Sequence, residues 1–245
     1  MCTILLAWQW SDDAPLVLVA NRDELVSRAS DPPQLLQQSP PLWGGRDRLA
    51  GGTWLAVDPT GRLCAVTNRH PGGQLPTRDP NRRSRGVLPT DVLNAGGDPD
   101  ALAYLSTLEP ADYNPVNVIY LSGSAALWVA LDDEMGRRSG QLAPGVHVLT
   151  EQNPDDLGSD KCAQLLQRAQ AVAASTQDLT ELLEGFRGLL RSHDRAGAGP
   201  ETAACIHEER FGTVSSASVI ATPTGVVFEH AEGHPCVTQY RRVLG

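Results

Sequence analysis

The sequence predicts an α+β fold in which two β-sheets are covered by helices on the outside. Its 245 residues are 41% hydrophobic and 20% charged, which is ordinary for a globular protein with one large core. Short apolar runs separated by turn residues fill the first third of the chain and return in its second half, and segments with helical periodicity follow each set. We expect a single domain over residues 1–245.

The first predicted element is a hairpin. Two apolar runs within the first twenty residues flank a polar turn. An antiparallel partner brings the start of one strand beside the end of the next, so Cys2 is expected near Arg22, Asp23 and Glu24. The hairpin therefore predicts a cation and two carboxylates close to a thiol.

The next elements are a loop, a second hairpin and another loop. Residues 29–47 are rich in Pro, Gln and Ser, and predict a long irregular loop that either covers a site or merely varies. Apolar runs at 51–57 and 62–67 flank a Pro- and Gly-containing turn and predict a hairpin. Polar residues 71–85 predict a loop, whose arginine cluster either binds an anion or is only solvated.

Strand and helix patterns alternate in the second half. Gly and Pro residues end the short helical segments, and apolar residues at helical spacing mark two longer amphipathic ones. We expect the central strands to supply the second sheet. In chain order the predicted elements are helices 87–94 and 99–108, strands 117–121, 125–131 and 145–149, helices 159–174 and 179–192, and a hairpin of strands 216–222 and 226–229.

Charge and cysteine content exclude several classes of protein. A net charge of -9 argues against nucleic-acid binding, which needs a basic face. The five cysteines form an odd set without CxxC spacing, which favours a reducing compartment over a disulfide framework. The opening lacks the basic region of a secretory signal, and no apolar run reaches the roughly 20 residues that span a bilayer. We expect a cytoplasmic protein without a membrane span that binds a small molecule; the sequence leaves its oligomeric state open.

Cys2 is a candidate nucleophile. A small side chain after an initiator Met normally allows that Met to be removed, which leaves a thiol and a free α-amine on one residue. An α-amine with a pKa of about 7.7 to 8.0 is able to act as the base for its own thiol. The alternative is that Cys2 only begins an edge strand.

Four motifs in order resemble a known family. They are Met1-Cys2-Thr3, Ala20 to Glu24, Gly51 to Ala56 and Ala65 to Asn68. Together they are similar to the NRDE family, also called the transport and Golgi organisation protein 2 family, most densely over the first 70 residues. The resemblance implies the four-layer αββα sandwich of N-terminal-nucleophile hydrolases, which bile salt hydrolases and penicillin acylases share. The resemblance also implies a cargo, since some members are implicated in haem trafficking or in acyl-CoA and lipid homeostasis.

The resemblance implies roles for the residues around Cys2. Arg22 and Asp23 are the candidates that stabilise the thiolate and orient the site, with Glu24 as the alternative to Asp23. Asn68 ends a strand and is the candidate donor to an oxyanion, the alternative being a turn cap. The candidate substrate-binding residues are Glu24, Trp54 and Arg85.

The sequence also departs from this family at two positions. Glu151 stands where relatives commonly have an amide, which weakens the transfer of a second oxyanion donor. Val214 stands where an arginine is often found, so a contact to an anionic substrate is lost there.

A set of cysteines and histidines near the C-terminus has side chains that suit zinc or haem. The set lacks CxxC or HExxH spacing, and scattered Cys and His are usually unliganded, so the sequence predicts no metal ligand and no cofactor. The residues are Cys205, His207, His230, His234 and Cys236.

Two functions follow from these observations. The first is an amidohydrolase that cleaves a non-peptide C–N bond of a small molecule, with Cys2 as nucleophile. The second is a carrier that keeps the fold and holds haem or an acyl-CoA or lipid-derived ligand. A fast-reacting Cys2 favours the first function, and a saturable haem complex with an inert Cys2 favours the second.

Overall fold

A computed structural model describes residues 2–70 and 77–245. The chain divides into two compact units. The first unit contains residues 2–28, 144–150 and 154–245, and the second contains residues 29–143 and 151–153, apart from the segment not described. Among the described residues, each unit has one antiparallel sheet and two α-helices.

The sheet of the first unit has the strand order β10-β1-β2-β11-β12-β13. Its central strands are almost entirely buried, as their continuous apolar sequences predict. The strands are β1 (Cys2–Trp8), β2 (Leu16–Leu25), β10 (Gly145–Leu149), β11 (Phe211–Thr222), β12 (Gly225–Glu232) and β13 (Arg241–Leu244).

Helices α3 (Asp160–Ser175) and α4 (Leu179–Leu190) pack on this sheet, and both were predicted. Each begins at a side-chain cap, because Ser159 accepts from the backbone N–H of Cys162 and Asp178 accepts from that of Glu181. Their apolar faces form one core with the sheet, in which Phe186 is fully buried. This core fixes the end of α4 relative to the hairpin of β1 and β2.

The sheet of the second unit has the order β3-β4-β5-β6-β7-β8-β9. Helices α1 (Leu88–Asn94) and α2 (Asp98–Ser106) pack on it around Tyr113 and Tyr120, and they confirm the two predicted short helices. The strands are β3 (Ser30–Gln38), β4 (Pro41–Asp47), β5 (Leu55–Val57), β6 (Leu63–Asn68), β7 (Val116–Leu121), β8 (Ala126–Asp132) and β9 (Gly136–Gln141).

The loop predicted over residues 29–47 is wrong, because this stretch is the hairpin of β3 and β4. Proline lacks the N–H that a central ladder needs, which is why the composition indicated a loop. Here Pro32 and Pro33 lie on an edge strand, where the pairing register shifts between Asp31 and Gln34, and Pro41 is the first residue of its strand. All three positions tolerate the missing donor.

The assignment of residues 145–149 to the second sheet is also wrong. Strand β10 pairs antiparallel with β1 in the first unit, with Ile4 opposite Leu149. Sequence order suggested otherwise because the strand follows the predicted strands 117–121 and 125–131. Its apolar residues instead complete the sheet that carries Cys2. Strand β9 escaped prediction because its sequence, Gly136–Gln141, is polar and half exposed.

Within the described part of the chain, no helix combines the length and the apolar character that crossing a membrane requires. The expectation of one domain over residues 1–245 stays a prediction. Part of the predicted loop 71–85 lies outside the described residues.

Candidate functional site

The paired ends of β1 and β2 carry the first group of predicted site residues. In the antiparallel register Cys2 lies opposite Arg22, and Arg22 lies opposite Ser215 on its other side. Arg22 is 5% exposed and Asp23 is 2% exposed. The hairpin therefore brings Cys2, Arg22 and Asp23 together, as the sequence predicted.

The surroundings of Cys2 act on its thiol in opposite directions. Burial raises the pKa of Cys2, and the carboxylate charge of Asp23 adds to that rise. The backbone N–H of Asp23 donates to the sulfur, and this hydrogen bond and the charge of Arg22 lower the pKa in part. The net pKa is raised, so the neutral thiol dominates at neutral pH unless a base is beside it.

The structure distinguishes Asp23 from Glu24. The carboxylate of Asp23 accepts a hydrogen bond from the Thr213 hydroxyl at 2.6 Å, and both residues are buried. Glu24 instead forms an ion pair with Arg28 at 3.4 Å and accepts from the backbone N–H of Leu25 at 2.8 Å. These contacts favour Asp23 for the orienting role, and substrate binding by Glu24 stays a prediction.

Asn21 is a residue whose role the sequence reasoning missed. It is 1% exposed, and its side-chain amide donates to the carbonyl oxygens of Leu190 and Ala204, both at 2.8 Å. These two carbonyls lie at the end of α4 and in the segment before β11. Asn21 thus joins three separate parts of the first unit directly beside Arg22.

Asn68 belongs to the second unit, where it ends β6 opposite Val116. It is half-buried, and its side-chain amide has no hydrogen bond to any residue in the described ranges 2–70 and 77–245. Its role as the donor to an oxyanion stays a prediction.

The residues after Asn68 are held by a buried polar network. The Arg69 guanidinium donates to Asp132 at 2.6 Å and to Asn117 at 3.0 Å. The side chain of Asn117 donates to the carbonyl of Gln152 at 2.8 Å, and the N–H of His70 donates to the carbonyl of Glu151 at 3.0 Å. This network fixes the end of β6. No motif pointed to it, because its members are far apart in the chain.

The other two predicted substrate-binding residues also lie in the second unit. The indole of Trp54 covers Gly45, where a Cβ would come within 2.3 Å of the ring. The guanidinium of Arg85 donates to the carbonyl of Pro115 at 3.0 Å. Both contacts hold the side chains to the backbone, and binding of a substrate by Trp54 or Arg85 stays a prediction.

The C-terminal cysteines and histidines are partly brought together. Cys205, His207 and Cys236 meet, with the addition of His193, which the sequence reasoning did not include. His234 stacks on His207 with ring centroids 3.7 Å apart. His230 is not in this group, since its Nε2 contacts Glu232 at 2.9 Å.

Two pKa shifts follow from this packing. Burial and the neighbouring Cys236 thiol raise the pKa of Cys205 to about 12. Burial, with the charges of His234 and His193, lowers the pKa of His207. At neutral pH without a bound cation, the Cys205 thiol is protonated and the His207 imidazole is neutral.

Solved structures similar to this chain share its fold. An N-acylethanolamine-hydrolyzing acid amidase ortholog from Caenorhabditis elegans has a TM-score of 0.58 at 12% identity, over 90% of this chain and 93% of that one. A mutant of the conjugated bile acid hydrolase from Clostridium perfringens has a TM-score of 0.57 at 9% identity, over 99% and 96%. At such identities the likeness shows the fold alone, and it confirms the predicted αββα sandwich of N-terminal-nucleophile hydrolases.

Relatives by sequence are the Transport and Golgi organization 2 homologs of mammals. The mouse protein is 35% identical over 109 residues, which are 42% of this chain and 37% of that protein. The human protein is 36% identical over 116 residues, which are 45% and 40% of the two chains. The mouse and human matches thus span well under half the length of those two proteins. The cattle protein is 26% identical over 94% of this chain and 87% of its own length.

The family model for Transport and Golgi organisation 2 matches residues 1–228. That range includes the hairpin with Cys2, the buried Arg22 and Asp23, and the strand that ends at Asn68. The chain belongs to the Transport and Golgi organisation 2 family.

Proposed function

We propose that this protein is a cysteine N-terminal-nucleophile amidohydrolase that cleaves a non-peptide C–N bond of a small molecule. The observation that carries the proposal is the strand register of Cys2 opposite Arg22, with the N–H of Asp23 donated to the sulfur. A cation and a backbone donor at one sulfur are what a thiolate nucleophile needs. The fold shared with an amidase and a bile acid hydrolase supports the same chemistry.

The proposed reaction begins with removal of Met1, which frees the α-amine of Cys2. This amine takes the thiol proton, and the thiolate attacks the carbonyl carbon of the amide. The C–N bond then breaks, the leaving amine takes the proton from the α-ammonium, and a thioester remains on Cys2. Water, deprotonated by the same amine, attacks the thioester and releases the acid and the thiol.

Three neighbours have proposed roles in this sequence. Arg22 stabilises the thiolate, and Asp23, held by Thr213, orients the free α-amine. Asn68 donates its side-chain N–H to the oxyanion of the tetrahedral intermediate, a contribution of about 2.7 to 4 kcal/mol in other hydrolases. Glu24, Trp54 and Arg85 remain the proposed substrate-binding residues.

A carrier is the second candidate, and the raised pKa of Cys2 is the observation that favours it. A protonated thiol does not attack carbonyls, so without the free amine the site would only bind. Haem or an acyl-CoA or lipid-derived molecule is the proposed cargo. The protein is also proposed to be located in the cytoplasm.

Intact mass tests whether Met1 is removed, and alkylation tests the reactivity of the Cys2 thiol. We expect protein from its native host to lack Met1 in an intact-mass measurement. We also expect trimmed Cys2 to react with iodoacetamide faster than Cys64, Cys162, Cys205 or Cys236, as read from peptide masses. The matched control is the same protein with extra residues before Cys2, in which the nitrogen is an amide without a basic lone pair, and its Cys2 should lose the advantage.

A pH series adds a test of Arg22. Because the charge of Arg22 lowers the pKa of Cys2, Arg22→Gln should move the alkylation profile to higher pH, while Arg22→Lys should move it less. Full retention of Met1, or a trimmed Cys2 that reacts no faster than the other four thiols, would show that the hydrolase proposal is wrong. A saturable haem titration in that case would establish the carrier.

A further inference from the structure

Four side chains from three segments of the first unit converge at a point that includes none of the proposed catalytic residues. His193 follows α4, Cys205 and His207 precede β11, and Cys236 follows β12. One ligand atom from each residue lies within 4.8 Å of every other. We propose that these residues form a tetrahedral Cys₂His₂ zinc site. This inference is independent of the proposed hydrolase activity.

Two of the ligand-atom distances agree with those of bound zinc. Zinc–sulfur bonds of about 2.3 Å and zinc–nitrogen bonds of about 2.0 to 2.1 Å put tetrahedral ligand atoms about 3.3 to 3.8 Å apart. His207 Nε2 lies 3.5 Å from Cys205 Sγ and 3.2 Å from Cys236 Sγ. The other pairs lie within 4.8 Å. Side-chain adjustments on the order of 1 Å would bring all four atoms to one ion.

The ring of His193 is oriented as zinc-binding histidines usually are. Its Nδ1 lies 3.1 Å from the carbonyl oxygen of Cys205, so that carbonyl accepts the ring N–H and Nε2 is left for the metal. The same ring meets His207 edge to face with centroids 4.7 Å apart, and the ring of His234 stacks on His207 at 3.7 Å. These contacts fix two imidazoles before any ion binds.

The backbone around the four residues is also fixed. The N–H of Cys205 donates to the carbonyl of Ser192 at 2.9 Å, and Asn21 holds the neighbouring carbonyls of Leu190 and Ala204. On the third segment, Arg191 donates to the carbonyl of Pro235, the residue before Cys236. The ligands therefore sit on a frame that the first unit builds without a metal.

Ligand type selects the ion. Two thiolates and two imidazoles in a tetrahedral arrangement favour zinc over magnesium or calcium, which prefer oxygen. All four positions are filled by the protein, so the zinc is structural and does not hold a water for catalysis. It joins the end of α4, the entry to β11 and the segment after β12.

The first test measures metal in untagged protein purified without added metal. We expect elemental mass spectrometry to find about one zinc ion per chain, and we expect this zinc to remain bound after gel filtration. Cobalt added to chelated protein should give the intense visible bands of tetrahedral thiolate coordination. Because zinc binds the folded chain and not the unfolded one, its removal by a chelator should lower the melting temperature of the wild-type protein.

Variants then identify the ligands. Cys236→Ser and His193→Gln should each weaken zinc binding by about tenfold or more, in a competition with a chromogenic chelator. His234→Phe is the matched control, since it keeps the stacked ring beside His207 and removes only nitrogens outside the proposed set. It should keep one zinc and the cobalt spectrum.

Four outcomes would overturn the proposal. Freshly purified wild-type protein without zinc and without a cobalt spectrum would do so, whether or not the variants fold. A disulfide between Cys205 and Cys236 in the intact mass would assign the thiols to redox chemistry instead. Iron or another metal in place of zinc would contradict the ligand argument. Loss of zinc in His234→Phe with retention in His193→Gln would contradict the ligand set.

Discussion

Cys2 and Cys205 lie in the same unit, and burial raises the pKa of both thiols, yet their neighbours differ. Cys2 lies opposite a buried arginine and accepts a backbone N–H, which are groups that stabilise one negative charge. Cys205 faces a second thiol and an imidazole, which are groups that share a cation. The side chains around a sulfur, more than its burial, thus distinguish a candidate nucleophile from a candidate metal ligand.

The two sites are also linked. The N–H of Ile206 donates to the Thr213 hydroxyl at 2.9 Å, and that hydroxyl donates to Asp23 at 2.6 Å. Ile206 stands between the proposed ligands Cys205 and His207. A single buried hydroxyl therefore connects the proposed zinc site to the carboxylate beside Cys2.

The largest expected effect separates the two thiols. Cys2→Ala should lower turnover by about 10⁴-fold or more, because removing the nucleophile of a covalent hydrolase leaves little of its catalysis. The same variant should keep one zinc per chain. Turnover is measured by release of the amine from an amide substrate. Cys64→Ala, at a buried cysteine of the second unit, is the control that should retain it. Equal loss in both variants would point to a defect in folding and not to a nucleophile.

The next variant tests whether catalysis needs a hydrogen-bond donor to the oxyanion that lies outside both thiol sites. Asn68→Ala should lower turnover by about 10²- to 10³-fold if its amide stabilises the oxyanion. Its unfolding free energy should change by less than about 0.5 kcal/mol, since the amide makes no bond within the described residues. Asn94→Ala, which removes an exposed side-chain amide at the end of α1, is the control for turnover. Turnover equal to wild type would leave Asn68 as a turn cap.

A third variant acts on the frame of the zinc site. Asn21→Ala removes both donors to the carbonyls of Leu190 and Ala204, and should lower the unfolding free energy by about 2 to 3 kcal/mol in urea titrations. It should also release zinc to a chelator faster. Asn114→Ala is matched to it, because that buried amide also bonds two backbone groups, but in the second unit. Faster zinc release from both variants would mean that general destabilisation, and not the frame, is responsible.

The parts that the sequence predicted are those set by local pattern. Alternating turns and apolar runs gave the first hairpin, and antiparallel geometry then required Cys2 to lie beside Arg22. Helical spacing gave α3 and α4. These predictions use neighbours in the chain, so no tertiary information was needed.

The parts that it missed depend on contacts between distant segments. His193 joins Cys205 only because Asn21 and a backbone bond hold the end of α4 against the entry to β11. The proline-rich stretch 29–47 forms strands because its prolines fall at a register shift on an edge strand, in the turn and at a strand start. Spacing along the sequence shows neither the contacts of His193 nor the place of the prolines in the sheet. The proposed metal ligands therefore looked scattered.

The smallest expected effect concerns the hydroxyl that links the two sites. Thr213→Val keeps the shape of the side chain but leaves the N–H of Ile206 and one oxygen of Asp23 without this partner, so it should cost about 1 to 2 kcal/mol of unfolding free energy. Thr213→Ser retains the hydroxyl and should cost less. If the hydroxyl couples the sites, the double variant with Cys236→Ser should deviate from additivity by about 0.5 kcal/mol or more. Strict additivity in urea titrations would mean that the zinc site and Asp23 are independent.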